Sequence, residues 1–482
     1  MQKVSLGPLV GKVTQTTARI LLEFEKDGIE EVTLTAILSG DSMKSSSQVK
    51  ANRIAVFKFE SLEPFTTYEI SCSVPLPVPK CSFRTLSGTL GAPTSFNIAV
   101  VSGNSDYQTK KTPLDLQLWQ EVAGKARKRD IDYIFHIGNQ IYTDVDENAY
   151  AKCIAELKNH HPPWNEEDIR EIIRSCYRKT FKNLYQAAAM ANCPNIGIFD
   201  EHDIRKGWGS KPDDSNLNTL DGFYCQQARV VYYEYMRQLW EDVDFTKLDE
   251  IKAEYHYHIL NQVGVFFVDY AGHNASGKKG EGSKKKLGEE QWAELNKCFH
   301  PTAGEFKDCS TVILVSPVPI ALFNKKTKLG AHDPEEFNEQ WLPSDQAEQT
   351  QLFMLLNNWK RAGSQREVLV LAGNVNHGGY SDIIYNKQPL FKQMITSGIT
   401  QKAPPKWSNL LSKIDENSSR EIEGLWKVKH HDWVSANNFG ILGLQKGVIE
   451  MELFTASETQ IPGPEKKIIE RRKQLGKSCT IF

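Results

Sequence analysis

Hydrophobic and polar residues alternate in short segments over the first 88 residues. The segments ARILLEF (18–24) and TTYEISCSV (66–74) show a period of two, and Gly, Asp, Ser and Pro lie between such segments. A strand that buries one face has this period, and short strands at regular spacing are typical of antiparallel sandwiches. We therefore predict that residues 1–88 form a β-sandwich of the immunoglobulin or fibronectin type, without catalytic residues.

The pattern changes after the turn-rich segment SGTLGAPT (87–94). Continuous apolar runs such as FNIAVVS (96–102) and TVILVS (311–316) are typical of strands that are buried on both faces. Segments with helical periodicity separate these runs, and we expect long helices over 113–129, 166–190 and 220–240. This alternation predicts a layered α/β domain over residues 95–456, with helices on the faces of a sheet.

Composition and charge limit the classes of function. The chain has 482 residues, 40% of them hydrophobic and 24% charged, with a net charge of -2, so no basic face suggests a nucleic-acid partner. The nine cysteines are scattered without a CxxC pair, which favours a reducing compartment. No signal peptide and no apolar run of about 18 residues is present, so we expect a cytoplasmic protein.

Four predicted strands are each followed by a short segment that contains glycine together with amide or acidic residues. The segments are VVSGN (100–104), HIGNQIY (136–142), FDEHDIRKGWG (199–209) and LAGNVNHGG (371–379). Ligand crevices of open α/β sheets lie beyond the carboxyl ends of strands, so we expect these segments to meet at one crevice. A solvated loop with a helix cap is the plainer interpretation of any one of them.

The order and wording of these segments resemble the PhoD-like phosphatases, a family of metallophosphatases. The family motifs read roughly SC, GDQIY, DDHD and GDVH, and the resemblance covers most of the chain. It implies a β-sandwich followed by a calcineurin-like metallophosphatase domain. It also implies metal ligands at Tyr142, Asp200, Glu201 and Asp203, and a catalytic His202 that protonates the leaving group.

The chain departs from these motifs at the positions that would supply ligand charge. Gly103 stands for the family cysteine, Asn139 and Asn374 for aspartates, Asn376 for histidine, and Glu201 for aspartate. Asn keeps the shape and hydrogen bonds of Asp but carries no charge, whereas neighbouring cations need anionic ligands between them. We expect Gly103, Asn139, Asn374, Asn376 and His377 to line a pocket. His377 is not expected to replace Asn376 as a ligand, because neighbours on an extended strand point to opposite faces.

Three interpretations of this pocket follow. The first is a pseudophosphatase or binding protein with lost or weakened metal-dependent phosphoester hydrolysis, which we favour and which needs no cofactor. The second is an active phosphodiesterase or alkaline phosphatase that uses Asp200, Glu201, His202 and Asp203 with altered divalent or trivalent metal ions. The third is a site for a neutral or hydroxylated ligand, because clustered amides suit hydrogen bonding.

The C-terminal segment predicts a membrane attachment. The sequence KSCTIF places Cys479 in a prenylation box, and a terminal Phe favours a geranylgeranyl group. The preceding EKKIIERRKQLGK is basic, and one prenyl chain needs such a second attraction to anionic lipid. We expect residues 457–482 to be a disordered tail that holds the protein on the cytosolic face of a membrane. A protein partner, bound by the pocket or by the Lys-rich segment 272–291, is a further expectation.

Overall fold

The structure is a computed structural model. It describes residues 1–89, 95–105, 117–145, 148–160, 162–208, 216–251, 253–274, 286–322, 341, 346–402, 420–422, 426–445, 448–458 and 467–477, and for 273–274, 346, 420–422, 457–458 and 467–477 it describes the backbone alone.

The N-terminal domain is a sandwich of two antiparallel sheets. Its strands are β1 (Val4–Val13), β2 (Ala18–Phe24), β3 (Gly28–Ala36), β4 (Ser42–Val49), β5 (Ile54–Phe59), β6 (Thr67–Cys72) and β7 (Ser82–Arg84). One sheet has the order β1-β2-β5 and the other β4-β3-β6-β7. Alternate residues of β2 and β3, such as Ile20, Leu22, Val32 and Leu34, are buried between the sheets, which confirms the predicted sandwich.

Two mixed sheets form the centre of the second domain. Their strands are β8 (Phe96–Val101), β9 (Tyr133–Ile137), β10 (Asn195–Ile198), β11 (His256–Leu260), β12 (Val263–Phe267), β13 (Thr311–Ser316), β14 (Glu367–Ala372), β15 (Gly378–Tyr385), β16 (Gln388–Ile395), β17 (Arg420–Ile422), β18 (Trp426–Val434), β19 (Asn438–Gln445), β20 (Val448–Glu458) and β21 (Lys467–Lys477). The six-stranded sheet has the order β10-β9-β8-β19-β20-β21, and the eight-stranded sheet β11-β12-β13-β14-β16-β15-β18-β17. Strands β8 to β10 run parallel to one another, as do β12 to β14.

Helices cover these sheets. They are α1 (Gln117–Lys128), α2 (Ala149–Asn159), α3 (Glu166–Phe181), α4 (Leu184–Met190), α5 (Glu201–Ile204), α6 (Leu220–Tyr235), α7 (Ala271–Asn274), α8 (Gly288–Cys298) and α9 (Gln346–Arg361). The prediction of one helix over 166–190 is wrong. The Asn183 side chain accepts a hydrogen bond from the Tyr185 N–H at 3.1 Å and begins a separate α4.

The inner faces of the two sheets pack against each other. Phe135 of β9 and Phe267 of β12 meet edge to face with ring centroids 5.2 Å apart, within a core cluster shared by both sheets. On their outer faces, α1 and α4 cover the six-stranded sheet, and α8 and α9 cover the eight-stranded sheet. The predicted layered α/β domain is therefore confirmed as a mixed α/β fold.

The sandwich packs against the amino ends of the parallel strands. The Tyr133 hydroxyl is hydrogen-bonded to the backbone of Val13, and the Asn195 Nδ2 donates to the Val10 carbonyl at 3.0 Å. At the same junction, fully buried Glu23 is paired with Arg178 at 2.8 Å. These buried contacts leave the carboxyl ends of the strands on the edge away from the sandwich.

Part of the C-terminal segment is ordered against the sheet. Residues Lys467–Lys477 form β21, which pairs antiparallel with β20, so the prediction of a disordered tail is wrong for this stretch. The prenylation box at 478–482 lies outside the described residues, as does most of the Lys-rich segment 272–291. No helix in the described part of the chain is long and apolar enough to cross a membrane.

Candidate functional site

The predicted strand-end segments meet at the carboxyl edge of the sheets. The N–H of Asn104, after β8, donates to the carbonyl of Asn139, after β9, at 2.8 Å. Asn139, Asn374 and Asn376 all have left-handed backbones, with φ of 56°, 67° and 51°. Asn adopts this conformation more readily than other non-glycine residues, so the three asparagines suit the sharp turns at these strand ends.

Asp200 lies at the centre of the site, and asparagine amides surround its carboxylate. Its Oδ2 accepts hydrogen bonds from Asn139 Nδ2 at 3.1 Å and from Asn374 Nδ2 at 2.7 Å. The residue is 2% exposed, and burial, together with the charge of Glu201, raises its pKa to about 6. Two N–H donors therefore face the carboxylate that the family resemblance implies is a metal ligand.

Asp203 has a structural part in the site. Its Oδ2 accepts hydrogen bonds from the backbone N–H groups of Asn139 at 2.8 Å and Asp200 at 2.9 Å, and its Oδ1 accepts one from Ile141 at 3.0 Å. Burial raises the pKa of this fully buried carboxyl to about 7. The carboxylate joins the loop after β9 to α5 and turns its oxygens towards backbone amides.

His202 is held from three sides. Its ring stacks on Tyr142 with centroids 4.4 Å apart, its Nδ1 lies 2.8 Å from Asp144 Oδ1, and its Nε2 lies 3.5 Å from Glu201 Oε1. Burial alone would lower the pKa of His202, but the charges of Glu201 and Asp144 outweigh it and raise the pKa to about 9. The imidazole is thus a cation whose charge two carboxylates already neutralise.

Asp144 is the residue of this site that the sequence did not reveal. It follows Tyr142 by two positions, in a segment where the family motif ends at the tyrosine. An acidic residue so close to the GNQIY motif was a signal that Asp144 could belong to the site. Its partner His202 is 58 positions away in the chain, so the sequence alone does not show the pair. Tyr142 itself is buried, and its hydroxyl has no hydrogen-bond partner among the described residues.

Gly103 leaves no space for the family cysteine. Its φ is +65°, and a Cβ built on it would lie 2.6 Å from the backbone nitrogen of Gly398 and 3.0 Å from Asn376 Oδ1. The loop after β16 therefore occupies the volume of a side chain at position 103. Asn376 is held there by the Ser397 hydroxyl, which donates to its Oδ1 at 3.4 Å.

His377 is buried close to the turn but does not follow the expected alternation. The left-handed Asn374 and Asn376 interrupt the extended backbone, so side chains 376 and 377 do not alternate as on a strand. The His377 Nδ1 lies 2.8 Å from the Val375 carbonyl, and burial lowers the pKa of the imidazole. Its Nε2 has no hydrogen-bond partner in the described part of the chain.

These residues do not fit a cluster of metal ions. Across the described ranges, no three or more His, Cys, Asp and Glu side chains are grouped so that they could hold a metal ion. The carboxylate of Asp203 faces backbone N–H groups, that of Asp200 faces two amides, and Glu201 accepts the Gly207 N–H. Two neutral amides and a glycine supply no charge to hold further cations.

The comparisons with known proteins agree with this architecture. The family model described as PhoD-like phosphatase matches residues 98–453. The chain belongs to the PhoD-like phosphatase family. A solved structure titled "Structure of PhoD" covers 98% of this chain and 90% of its own, at 13% identity and a TM-score of 0.67, which shows the shared fold.

Another match, with a lower TM-score, is a structure titled "GAP50 the anchor in the inner membrane complex of Plasmodium". It is 12% identical over 80% of this chain and 90% of its own, with a TM-score of 0.37. No curated protein sequence matches this chain. The family and the fold are thus shown, whereas the activity has to be argued from the site.

Proposed function

We propose that this PhoD-like protein is a pseudophosphatase, a binding protein that keeps the family crevice without metal-dependent phosphoester hydrolysis. The observation that carries the proposal is the pair of amide groups, Asn139 and Asn374, that donate to the same Asp200 oxygen. A metal ion beside that oxygen would meet the positive ends of two N–H dipoles. The remaining acidic residues would then have to offset both this repulsion and the loss of ligand charge.

The orientation of Asn139 is fixed from both ends of its amide. While Nδ2 donates to Asp200, Oδ1 accepts the backbone N–H of His202 at 3.1 Å. Rotating the amide to offer its oxygen to a cation would turn its N–H groups towards the His202 N–H and remove one of the two amide donors to the buried Asp200 carboxylate. Each lost hydrogen bond to a buried charged group costs about 1.5–3 kcal/mol, so the present arrangement opposes metal entry.

Metal content and turnover test this proposal directly. We expect full-length protein, purified and then incubated with Ca²⁺, Mn²⁺, Zn²⁺ or Fe³⁺, to hold far less than one metal ion per chain after gel filtration. It should also fail to hydrolyse bis(p-nitrophenyl) phosphate and p-nitrophenyl phosphate. Stoichiometric metal, together with turnover that the substitution Asp200→Asn abolishes, would establish the active phosphodiesterase instead.

We further propose that Cys479 is prenylated and holds the protein on the cytosolic face of a membrane. The prenylation box and the basic residues before it in the sequence support this. In a eukaryotic cell, Cys479→Ser should remove labelling by a geranylgeranyl analogue and shift the protein to the soluble fraction. The half-buried Cys72 of the sandwich supplies the control, since Cys72→Ser should change neither result.

A further inference from the structure

The turn between β3 and β4 presents apolar side chains to solvent. Leu38 is 97% exposed and Ile37 57% exposed at its tip. Phe65 lies at the same end of the sandwich and is 49% exposed, with a left-handed φ of 52°. A bulky aromatic residue rarely adopts this backbone, and such strain persists only where its surroundings hold it. We call Ile37, Leu38 and Phe65 the hairpin face.

Hydrogen bonds place the hairpin face beside the second domain. The Ile37 N–H donates to the Thr67 carbonyl at 2.9 Å, and Thr67 pairs with Arg84 on the next strand. The Arg84 guanidinium lies 4.5 Å from the centre of the Phe65 ring and pairs with Asp132 at 2.9 Å. The aliphatic tip, Phe65 and the start of β9 thus lie along one end of the sandwich.

Basic residues extend this surface. The last turn of α1 carries Arg127 and Lys128, both exposed, and the next residue, Arg129, donates to the Ser82 hydroxyl of β7. Exposed acidic residues are also close in the chain, at Asp41, Glu63 and Asp130. A second source of positive charge is the sequence of β21 (467–477), which contains five basic residues and one acidic residue.

The end of β21 lies at the same edge of the sheet. Lys477 pairs with Val448, Val448 with Gln445, and the neighbouring Leu444 with Phe96 at the start of β8. Strands are spaced by about 4.8 Å, so β21 ends about 14 Å from β8. Asn97 of β8 is bonded to Asp132, the partner of Arg84. Cys479 follows Lys477 by two residues in the sequence.

We infer that the hairpin face docks on an anionic phospholipid bilayer, with Ile37, Leu38 and Phe65 in the interfacial layer and the basic end of α1 against the headgroups. The backbone of β21, whose sequence is basic, ends at the same edge. This inference adds an orientation to the proposed membrane attachment. The candidate site lies at the carboxyl ends of β8 to β10, about six residues or 20 Å along the strands from this edge. The crevice therefore faces the cytosol.

Vesicle binding by unprenylated protein tests the inference separately from prenylation. Full-length protein made in bacteria, which lack the prenylating enzymes, is sedimented with phosphatidylcholine vesicles that contain phosphatidylserine. We expect binding that falls about tenfold in Ile37→Asp/Leu38→Asp, because an aliphatic tip loses its gain from burial when it is charged. Both side chains are exposed, so the folded state should be unaffected.

The sandwich offers a matched control in Ile29, which is 75% exposed at the other end of β3. Ile29→Asp should bind vesicles as the wild type does, and Arg127→Glu/Lys128→Glu should weaken binding more than Lys152→Glu/Lys158→Glu, which reverses two exposed charges on α2. Equal losses for Ile29 and Leu38, or binding unchanged by Ile37→Asp/Leu38→Asp, would overturn the inference. A Cys479 that is never labelled would refute prenylation and leave the vesicle result standing.

Discussion

Asn139 and Asn374 each differ from aspartate by one group, yet that group reverses the hydrogen bonding at Asp200. An aspartate at either position could only accept, and two carboxylates facing a third would repel unless a cation lay between them. The amides donate instead, so the carboxylate of Asp200 is satisfied within the protein. Hydrogen bonds within the protein thus hold the carboxylate at the centre of the site.

Restoring both aspartates should make the site depend on cations. We expect Asn139→Asp/Asn374→Asp to unfold at a lower temperature than the wild type in EDTA, because two hydrogen bonds to a buried charge are lost at about 1.5–3 kcal/mol each. Added Ca²⁺ or Mn²⁺ should raise the melting temperature of this variant and not that of the wild type. Differential scanning fluorimetry measures both effects.

Two other left-handed asparagines provide the control for this variant. Asn52 and Asn386 have φ of 56° and 51° and lie in turns outside the site. Asn52→Asp/Asn386→Asp adds the same charge on the same backbone, so it should show no cation-dependent shift. A wild-type protein that cations stabilise as strongly as the aspartate variant would contradict the account of Asp200.

The sequence could locate the site residues because their motifs keep order and wording. It could not reveal Asp144, whose role depends on a His202 that lies close only in the folded chain, or Gly398, whose backbone fills the space beside Gly103. Motifs report the residues of a family site. They do not report the loops that lie against those residues in the folded chain.

At the scale of elements, the turn after β8 and the loop after β16 are in close contact, at Gly103 and Gly398. Gly103→Ala should destabilise the protein by about 2 kcal/mol or more, since its positive φ disfavours a Cβ and that Cβ would lie 2.6 Å from Gly398 N. Gly103→Cys, which restores the family residue, should cost at least as much. Chemical denaturation measures both.

Gly124 in α1 is the matched control for these substitutions. A Cβ there meets no atom within 4 Å, so Gly124→Ala should be neutral or stabilise the protein by up to about 1 kcal/mol. A fully stable Gly103→Cys protein would show that the loop moves away readily, and that cysteine could return to the site without strain.

Elements with a strong local signal could be predicted. The apolar runs at β8, β13 and β14 are central strands, as continuous hydrophobic segments indicate. Strands β15, β16 and β18 are not predicted, because their local pattern of apolar and polar residues is mixed. In addition, β15 pairs with β18 across up to 56 positions, as between Gly378 and Val434. The division between α3 and α4 depends on the cap at Asn183, which periodicity alone does not show.

At the scale of the whole molecule, a buried histidine makes stability depend on pH. Burial lowers the pKa of His136 on β9 to about 4, although the hydrogen bond to Asn195 at 2.9 Å opposes the shift. The unfolded chain takes up a proton near pH 6.5, so the stabilising effect of neutral His136 is full above that pH. It is lost as the pH falls towards 4, by up to about 3 kcal/mol.

His136→Gln removes this titration. We expect the variant to be less stable than the wild type at pH 8, with a difference in the free energy of unfolding that narrows by up to about 3 kcal/mol between pH 6.5 and 4. Urea unfolding at a series of pH values measures it, and exposed His160 supplies the control, since His160→Gln should keep the wild-type profile. A constant difference across this pH range would show that His136 contributes through packing alone.

The bonds of Asp203 to three backbone amides have a consequence for any molecule that enters the crevice. One side chain ties the turn after β9 to the start of α5, so hydrogen bonds within the protein hold this part of the crevice in place. Binding of a ligand there would cost little conformational entropy of the protein, so the shape of the ligand would decide its affinity. Under the proposed binding function, selectivity would come from the fit of the ligand to this preorganised backbone.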